Sequence, residues 1–251
     1  MLDCFCNCER QRMCDDGENG RIDRRGLLAL AGLGLAAASL GLSVAPATAA
    51  HGPKTSLTPD QALAALKEGN ARYVSNPQVC VMDLAKRRAD VAGHQSPWAT
   101  IVGCSDSRVP PELLFGGLGL GELFVARNAG NVVDTATMGT VEYGAEVLGA
   151  PLLVVLGHEK CGAVAAACDV VAKKATFPGS IGPMVRPIVP AATAMRGKPG
   201  DFVDNTVRES ARRTAQRLAT ASPILAKLVG EGKLKIVAAR YDLDDGKVEY
   251  L

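Results

Sequence analysis

Residues 151–162 read Pro151-Leu-Leu-Val-Val-Leu-Gly-His-Glu-Lys-Cys-Gly162, and this stretch decides the fold. A continuous apolar run with no polar alternation, closed by Gly157, is the pattern of a parallel strand buried on both faces. Ala99-Thr-Ile-Val-Gly103 repeats the pattern upstream. Each run passes directly into reactive side chains: Cys104-Ser-Asp106-Ser-Arg108 follows the first and His158-Glu-Lys-Cys161 follows the second. In open α/β sheets ligands collect at the carboxyl ends of the strands, so two neighbouring strands of this kind bring Cys104, His158 and Cys161 to one place.

Two thiolates and an imidazole suit zinc, which takes Cys sulfur and His nitrogen in tetrahedral geometry. Three protein ligands leave the fourth position for water, the arrangement of a catalytic rather than a structural site. Each half of the set is ambiguous alone: His-x-x-Cys is a common chance spacing, and a Cys after a strand is as readily a small buried hydrophobe. Their shared position at strand ends is what favours ligands.

Working outward, strands are expected near 99–103, 122–126, 152–156 and 234–240, alternating with helical patterns at 134–148, 162–173 and 203–229. That alternation predicts an α/β fold with a central, mostly parallel sheet flanked by helices. Thr58-Pro-Asp-Gln61 opens a further helix, with Thr58 as N-cap, Pro59 at the first position, Gln61 completing a capping box, and Ala62, Leu63, Leu66 and Tyr73 on its apolar face. Gly179 to Pro190 holds three prolines and is expected to be a short helix with loops.

Four linked motifs, in order, resemble the β-class carbonic anhydrases: Cys104-Ser-Asp-Ser-Arg-Val-Pro110, Gly121-Glu-Leu-Phe-Val-Ala-Arg-Asn-Ala-Gly-Asn131, Val141-Glu-Tyr143 and Leu156-Gly-His-Glu-Lys-Cys-Gly162. The resemblance runs from about Leu57 to Leu251, where Tyr241 to Leu251 is similar to the family's terminal turn and strand. It implies reversible hydration of carbon dioxide to bicarbonate and a proton, through hydroxide activated on Zn2+. It also implies pocket roles for Gln95 as a hydrogen-bond donor, for Phe124 and Tyr143 as walls, and for Ala129 where many members carry Val. Packing in the protein's own core is the ordinary alternative for Phe124 and Tyr143. Some members bind bicarbonate at an inhibitory site using a Trp three residues before the first zinc Cys; Ile101 stands there in this chain, so that site is expected to be absent. The family joins subunits through the Thr58 helix, so the resemblance implies a homodimer or a dimer-based tetramer; packing of that helix on the chain's own core is the plain alternative.

Charge counting sharpens the chemistry. Zinc with two thiolates and a neutral imidazole is formally neutral and acidifies water less than a dipositive site does, so a helper is needed. Asp106 is the candidate to accept the hydrogen of the attacking oxygen, and Arg108 to fork onto that carboxylate and keep it off the metal. The plain alternative for the pair is a surface ion pair. Two rival functions remain from sequence alone: hydrolysis of carbon disulfide or carbonyl sulfide on the same scaffold, and a zinc-binding module without turnover.

Composition narrows the rest. With 251 residues, 47% hydrophobic, the chain can bury one sizeable core, and a net charge of +2 with 4% aromatic residues gives no nucleic-acid footprint. Residues 1–50 are expected to be a presequence and 51–251 the catalytic domain. Arg24-Arg25, a mildly apolar stretch to Val44 and the small-x-small Ala47-Thr-Ala49 read as a twin-arginine export signal, giving a periplasmic or secreted enzyme that engages the export machinery. An uncleaved membrane anchor is the alternative. Cys4, Cys6, Cys8 and Cys14 lack zinc-site spacing, and an initiator at Met13 leaves out the first three. Cys80 and Cys168 read as free or buried thiols or as a disulfide pair, and His94 as a solvated loop residue or a proton shuttle.

Overall fold

A computed structural model describes residues 53–76 and 84–251. Along them run α1 (Pro59–Ser75), α2 (Leu84–Val91), β1 (Ala99–Cys104), α3 (Pro111–Leu114), β2 (Leu123–Asn128) and α4 (Thr135–Glu142), which continues into a π-helical turn over Tyr143–Val147. Next come β3 (Leu152–His158), α5 (Gly162–Lys173), α6 (Ile181–Val185), a 3-10 turn over Arg186–Ile188 and α7 (Val189–Met195). α8 (Phe202–Ala221), α9 (Pro223–Gly230), β4 (Lys235–Tyr241) and β5 (Val248–Tyr250) complete the chain. The strands form one sheet in the order β2-β1-β3-β4-β5, parallel through β4 and closed by an antiparallel β5. The mostly parallel α/β architecture expected from the sequence is the one observed.

The two apolar runs are the centre of that sheet, and every residue of β1 and β3 is buried. Strand alternation divides them between two cores. Ala99, Ile101, Leu152, Val154 and Leu156 join Ala62 and Leu66 of α1 and Leu114 of α3. Val102, Leu153 and Val155 join Val141 of α4, Ala211 and Leu218 of α8 and Leu225 of α9. Full burial of each Leu or Ile side chain is worth about 1.5–3 kcal/mol, so helices must cover both faces. A third cluster, with Cys104, Cys161, Val164, Ile188 and Val207, packs α5 and α8 around the carboxyl ends of the strands.

Local chemistry sets several boundaries. Thr58 caps α1 as its sequence predicts: its Oγ1 accepts from the Gln61 N–H at 3.2 Å, and the Gln61 side chain accepts from the Thr58 N–H at 2.8 Å. The apolar face of α1 packs against its own sheet, with Ala62 and Leu66 fully buried. The helical pattern at 203–229 is two helices, because Ser222 is extended and Pro223 starts α9. Ser222 Oγ accepts from the Leu225 N–H and donates to Glu142 Oε1 at 2.6 Å, so the break is itself bonded in place.

The segment around 179–190 is more helical than its three prolines suggest. α6, the 3-10 turn and α7 follow one another directly, and each proline falls in the first turn of its own short element, where no N–H partner is required. Neither α2 nor α3 was expected; α2 buries none of its residues, so it carries no apolar periodicity to read.

Candidate metal centre

Cys104 ends β1, His158 ends β3, and Cys161 is the N-cap of α5. β1 is flanked by β2 on one side and β3 on the other, so the chain leaves neighbouring strands in opposite directions and opens a crevice above their carboxyl ends. The three ligand atoms lie within 4.8 Å of one another, and all three residues are buried. The two sulfurs are 4.0 Å apart. Two Zn–S bonds of about 2.3 Å at a tetrahedral angle would set them about 3.8 Å apart.

His158 Nδ1 lies 2.8 Å from the Glu159 carbonyl oxygen, which can only accept, so Nδ1 carries the hydrogen and the lone pair is on Nε2. That Nε2 is wholly buried and has no hydrogen-bond partner. An orphaned buried acceptor is costly, and an imidazole oriented through its other nitrogen is the usual state of a metal-ligating His. The donor set therefore fits zinc.

The thiols are unequal. Cys104 is held below its ordinary range chiefly by the Cys161 S–H it accepts, with the backbone N–H of Gly130 adding to it; burial opposes the shift. Cys161 is pushed up by donating to that sulfur and by burial. Left to themselves the two share a proton, and a dication between them displaces it. Gly130 N–H reaches Cys104 Sγ at 3.3 Å. Only glycine serves at that position: φ is +80°, and a Cβ would sit 2.6 Å from Ile188 Cδ1 and 3.0 Å from Ala163 Cβ.

Asp106 stands beside the ligands, its Oδ2 3.9 Å from His158 Nε2. Arg108 binds it in a fork, Nε to Oδ1 at 2.9 Å and Nη2 to Oδ2 at 2.7 Å, and the Arg108 backbone N–H adds 3.0 Å to Oδ1. The Arg108 side chain holds the carboxyl well below the usual carboxylate range. Sequence reasoning passed over Arg127, inside the Gly121 to Asn131 motif: its Nε donates to the Cys104 carbonyl at 2.8 Å and its Nη2 to the Asp106 carbonyl at 2.6 Å. Its acceptors are main-chain oxygens, which no residue pattern announces.

The pocket residues divide. Ala129 adjoins Gly130 at the ligand end of the sheet. Phe124 pairs in register with Thr100, four residues before the Cys104–Asn128 pair, and so lies about 13 Å back along the strands. Tyr143 accompanies it, ring centroids 6.1 Å apart. Phe124 packs closely on Gly144 of the π-helical turn, where a Cβ would come within 2.8 Å of Thr100 Oγ1 and 2.9 Å of Phe124 Cδ1. Gln95 is exposed ahead of β1, as is His94. Within one chain the structure therefore does not bring Gln95, Phe124 and Tyr143 to the ligands; parallel strands separate their two ends. Cys168 is a buried free thiol, its S–H directed at Thr206 Oγ1 3.4 Å away. Cys80 and residues 1–52, with the four early cysteines and the stretch read as an export signal, lie outside the described residues. Among the described residues no helix is long and apolar enough to cross a membrane.

Residues 99–248 match the family model described as "Carbonic anhydrase". The chain is 39% identical over 190 residues to carbonic anhydrase 2 of Mycobacterium tuberculosis, covering 75% of this chain and 91% of that protein. It is 38% identical over 191 residues to the carbonic anhydrase of Mycolicibacterium smegmatis, covering 76% and 92%. Among solved structures it resembles a Coccomyxa β-carbonic anhydrase in complex with acetazolamide, with TM-score 0.58, 26% identity and coverage of 78% and 87%. The fold is shared with a tetrameric β-carbonic anhydrase of Sordaria macrospora, with TM-score 0.60, 23% identity and coverage of 75% and 95%. Two cysteines and a histidine at the ends of adjacent parallel strands, a forked Asp–Arg pair beside them and relatives aligned across most of their own length have one common explanation: the chain belongs to the β-carbonic anhydrase family.

Proposed function

We propose that this chain is a zinc enzyme catalysing the reversible hydration of carbon dioxide to bicarbonate and a proton. The observation that carries the reading is the buried, partnerless Nε2 of His158 beside the sulfurs of Cys104 and Cys161, with the Asp106 carboxylate 3.9 Å from that nitrogen. Zinc held by Cys104, His158 and Cys161 supplies the Lewis acidity that makes water a nucleophile near neutral pH.

The remaining work belongs to the side chains. Glu159 fixes the His158 tautomer through its carbonyl, and Gly130 donates to Cys104, so two of the three ligands are oriented from behind. Asp106 accepts the hydrogen of the attacking water and aims its lone pair at the carbon of the substrate. Arg108 binds both carboxylate oxygens, which keeps Asp106 ionised and in place. Release of bicarbonate and loss of a proton to solvent complete the cycle. The relatives reported above are named as carbonic anhydrases, which supports carbon dioxide over carbon disulfide or carbonyl sulfide and an enzyme over a passive module.

Stopped-flow hydration of carbon dioxide by the zinc-loaded protein, run beside carbonyl sulfide, tests the reading. Turnover of carbonyl sulfide alone, or of neither substrate, overturns it. The ligand set is checked separately by Cys161→Ser: a neutral hydroxyl replaces a thiolate poorly, and zinc content should fall from one per chain toward zero by elemental analysis. Full occupancy in that variant would remove Cys161 from the set.

A further inference from the structure

Beyond the end of β1 the chain turns through Ser105 to Val109, and this loop carries the Asp106 carboxylate. Its internal bonds fix its shape: the Arg108 N–H and side chain bind Asp106, and the Val109 N–H donates to the Asp106 carbonyl at 3.1 Å. Two contacts tie it to its surroundings, the Ser105 N–H to the Asn128 carbonyl at 3.0 Å and Arg108 Nη2 to the Lys160 carbonyl at a long 3.5 Å, but neither holds the main chain at Asp106. Arg127 does. It sits on β2, in register with Gly103, and one guanidinium donates to the carbonyls of both Cys104 and Asp106. A planar fork spanning carbonyls two residues apart holds that segment as a unit, which an ammonium on a flexible stem does not reproduce.

We propose that Arg127 is a positioning residue for the reaction, holding the Asp106 carboxylate in register with the ligands by clamping the main chain at Cys104 and Asp106. This rests on the role given to Asp106 above. Displacement of a reacting group by about 1 Å can cost about 10²-fold in rate. The clamp acts at that range, since Cys104 contributes a ligand and Asp106 the hydrogen acceptor, and one side chain ties both to β2.

The test is a double-mutant cycle of Arg127→Gln with Asp106→Asn, with Arg127→Lys as the milder variant. Arg127→Gln should retain one zinc per chain and lower kcat about 10- to 100-fold with little change in KM, in the range of lost supporting contacts around a metal site. Arg127→Lys, which keeps the charge but not the fork, should fall short of full rescue. In the Asp106→Asn background Arg127→Gln should add less than about twofold, because what it positions is already gone. Amide hydrogen exchange gives a readout independent of turnover: Asp106 to Val109 should exchange at least about tenfold faster in Arg127→Gln, with β1 unchanged. Equal losses in both backgrounds, unchanged loop exchange, or wild-type kcat in Arg127→Lys would each overturn the proposal. If Arg127→Gln does not fold, Arg127→Lys is read through the same cycle. If Asp106→Asn alone proves silent, the role of Asp106 fails, and loop exchange still decides the clamp.

Discussion

In the proposed reaction Asp106 accepts the hydrogen of the attacking water, and its partners divide the work of holding it. Arg108 binds both carboxylate oxygens and keeps the group charged, and Oδ2 lies 3.9 Å from His158 Nε2. Replacing Asp106 by Asn keeps the size of the group and one acceptor oxygen but removes the charge. The zinc ligands are untouched, so zinc should stay at one per chain while kcat falls about 10²-fold or more, as for a lost acid-base group. Wild-type turnover across the pH range would leave Asp106 only its ion pair. At this scale the sequence was most legible in what it brings together: Cys104, His158, Cys161, Asp106 and Arg108 all follow strand-like runs and meet at the strand ends. It was least legible where side chains act on main chain, as with Arg127, the Gly130 N–H and the Glu159 carbonyl.

Among the elements, the turn between β4 and β5 braces the ligand loop. Lys160, at φ +53°, bonds Asp244 at 2.9 Å and Glu159 at 3.2 Å, and the Glu159 side chain accepts from the Leu243 N–H. Asp242 anchors the turn itself, with Arg240 on one oxygen and the N–H groups of Asp244 and Asp245 on the other. The Arg240 side chain first, and those N–H groups next, hold its carboxyl down at about 2. A carboxyl depressed on folding gives stability that is fully present above its unfolded value of about 3.9 and is lost as the pH falls through the folded one. Asp242 should thus contribute to acid lability between about pH 4 and pH 2. Asp242→Asn should lower Tm at neutral pH and flatten the dependence of Tm on pH in that window; an unchanged slope would place the acid sensitivity elsewhere. Elements were legible where burial imposes a period, as in β1, β3 and the capped α1. The division at Ser222-Pro223 was written in the sequence as a cap followed by a first-turn proline, but the apolar pattern running through 203–229 outweighed it. The 181–195 segment was under-read because prolines break one helix yet start several short ones.

For the whole molecule, the distance between the two ends of the parallel strands becomes an argument about assembly. Ala129 lies at the ligand end, while Phe124 lies about 13 Å back by strand rise, with Tyr143 packed beside it and Gln95 ahead of the start of β1. If those three meet substrate, a second copy must present them, and closed two-fold pairing is the commonest way to do so. Light scattering should accordingly find the active species at dimer mass or an even multiple, and full activity at monomer mass would refute the arrangement. Export poses a related problem of order of events. A site built on two reduced thiolates is best loaded before it meets an oxidising compartment, where Cys104 and Cys161 risk oxidation or pairing with Cys80 or Cys168. A route that carries folded protein avoids the risk, and we propose that Arg24-Arg25, ahead of a mildly apolar stretch to Val44 and Ala47-Thr-Ala49, directs the chain to one. Changing both arginines to lysine should leave active, zinc-loaded, uncleaved enzyme in the cytoplasm, whereas the unaltered chain should appear beyond the inner membrane with a new N-terminus near Ala50. Undiminished export of the double-lysine variant would rule out the twin-arginine route, and exported protein that keeps Met1 or Met13 would favour an uncleaved anchor.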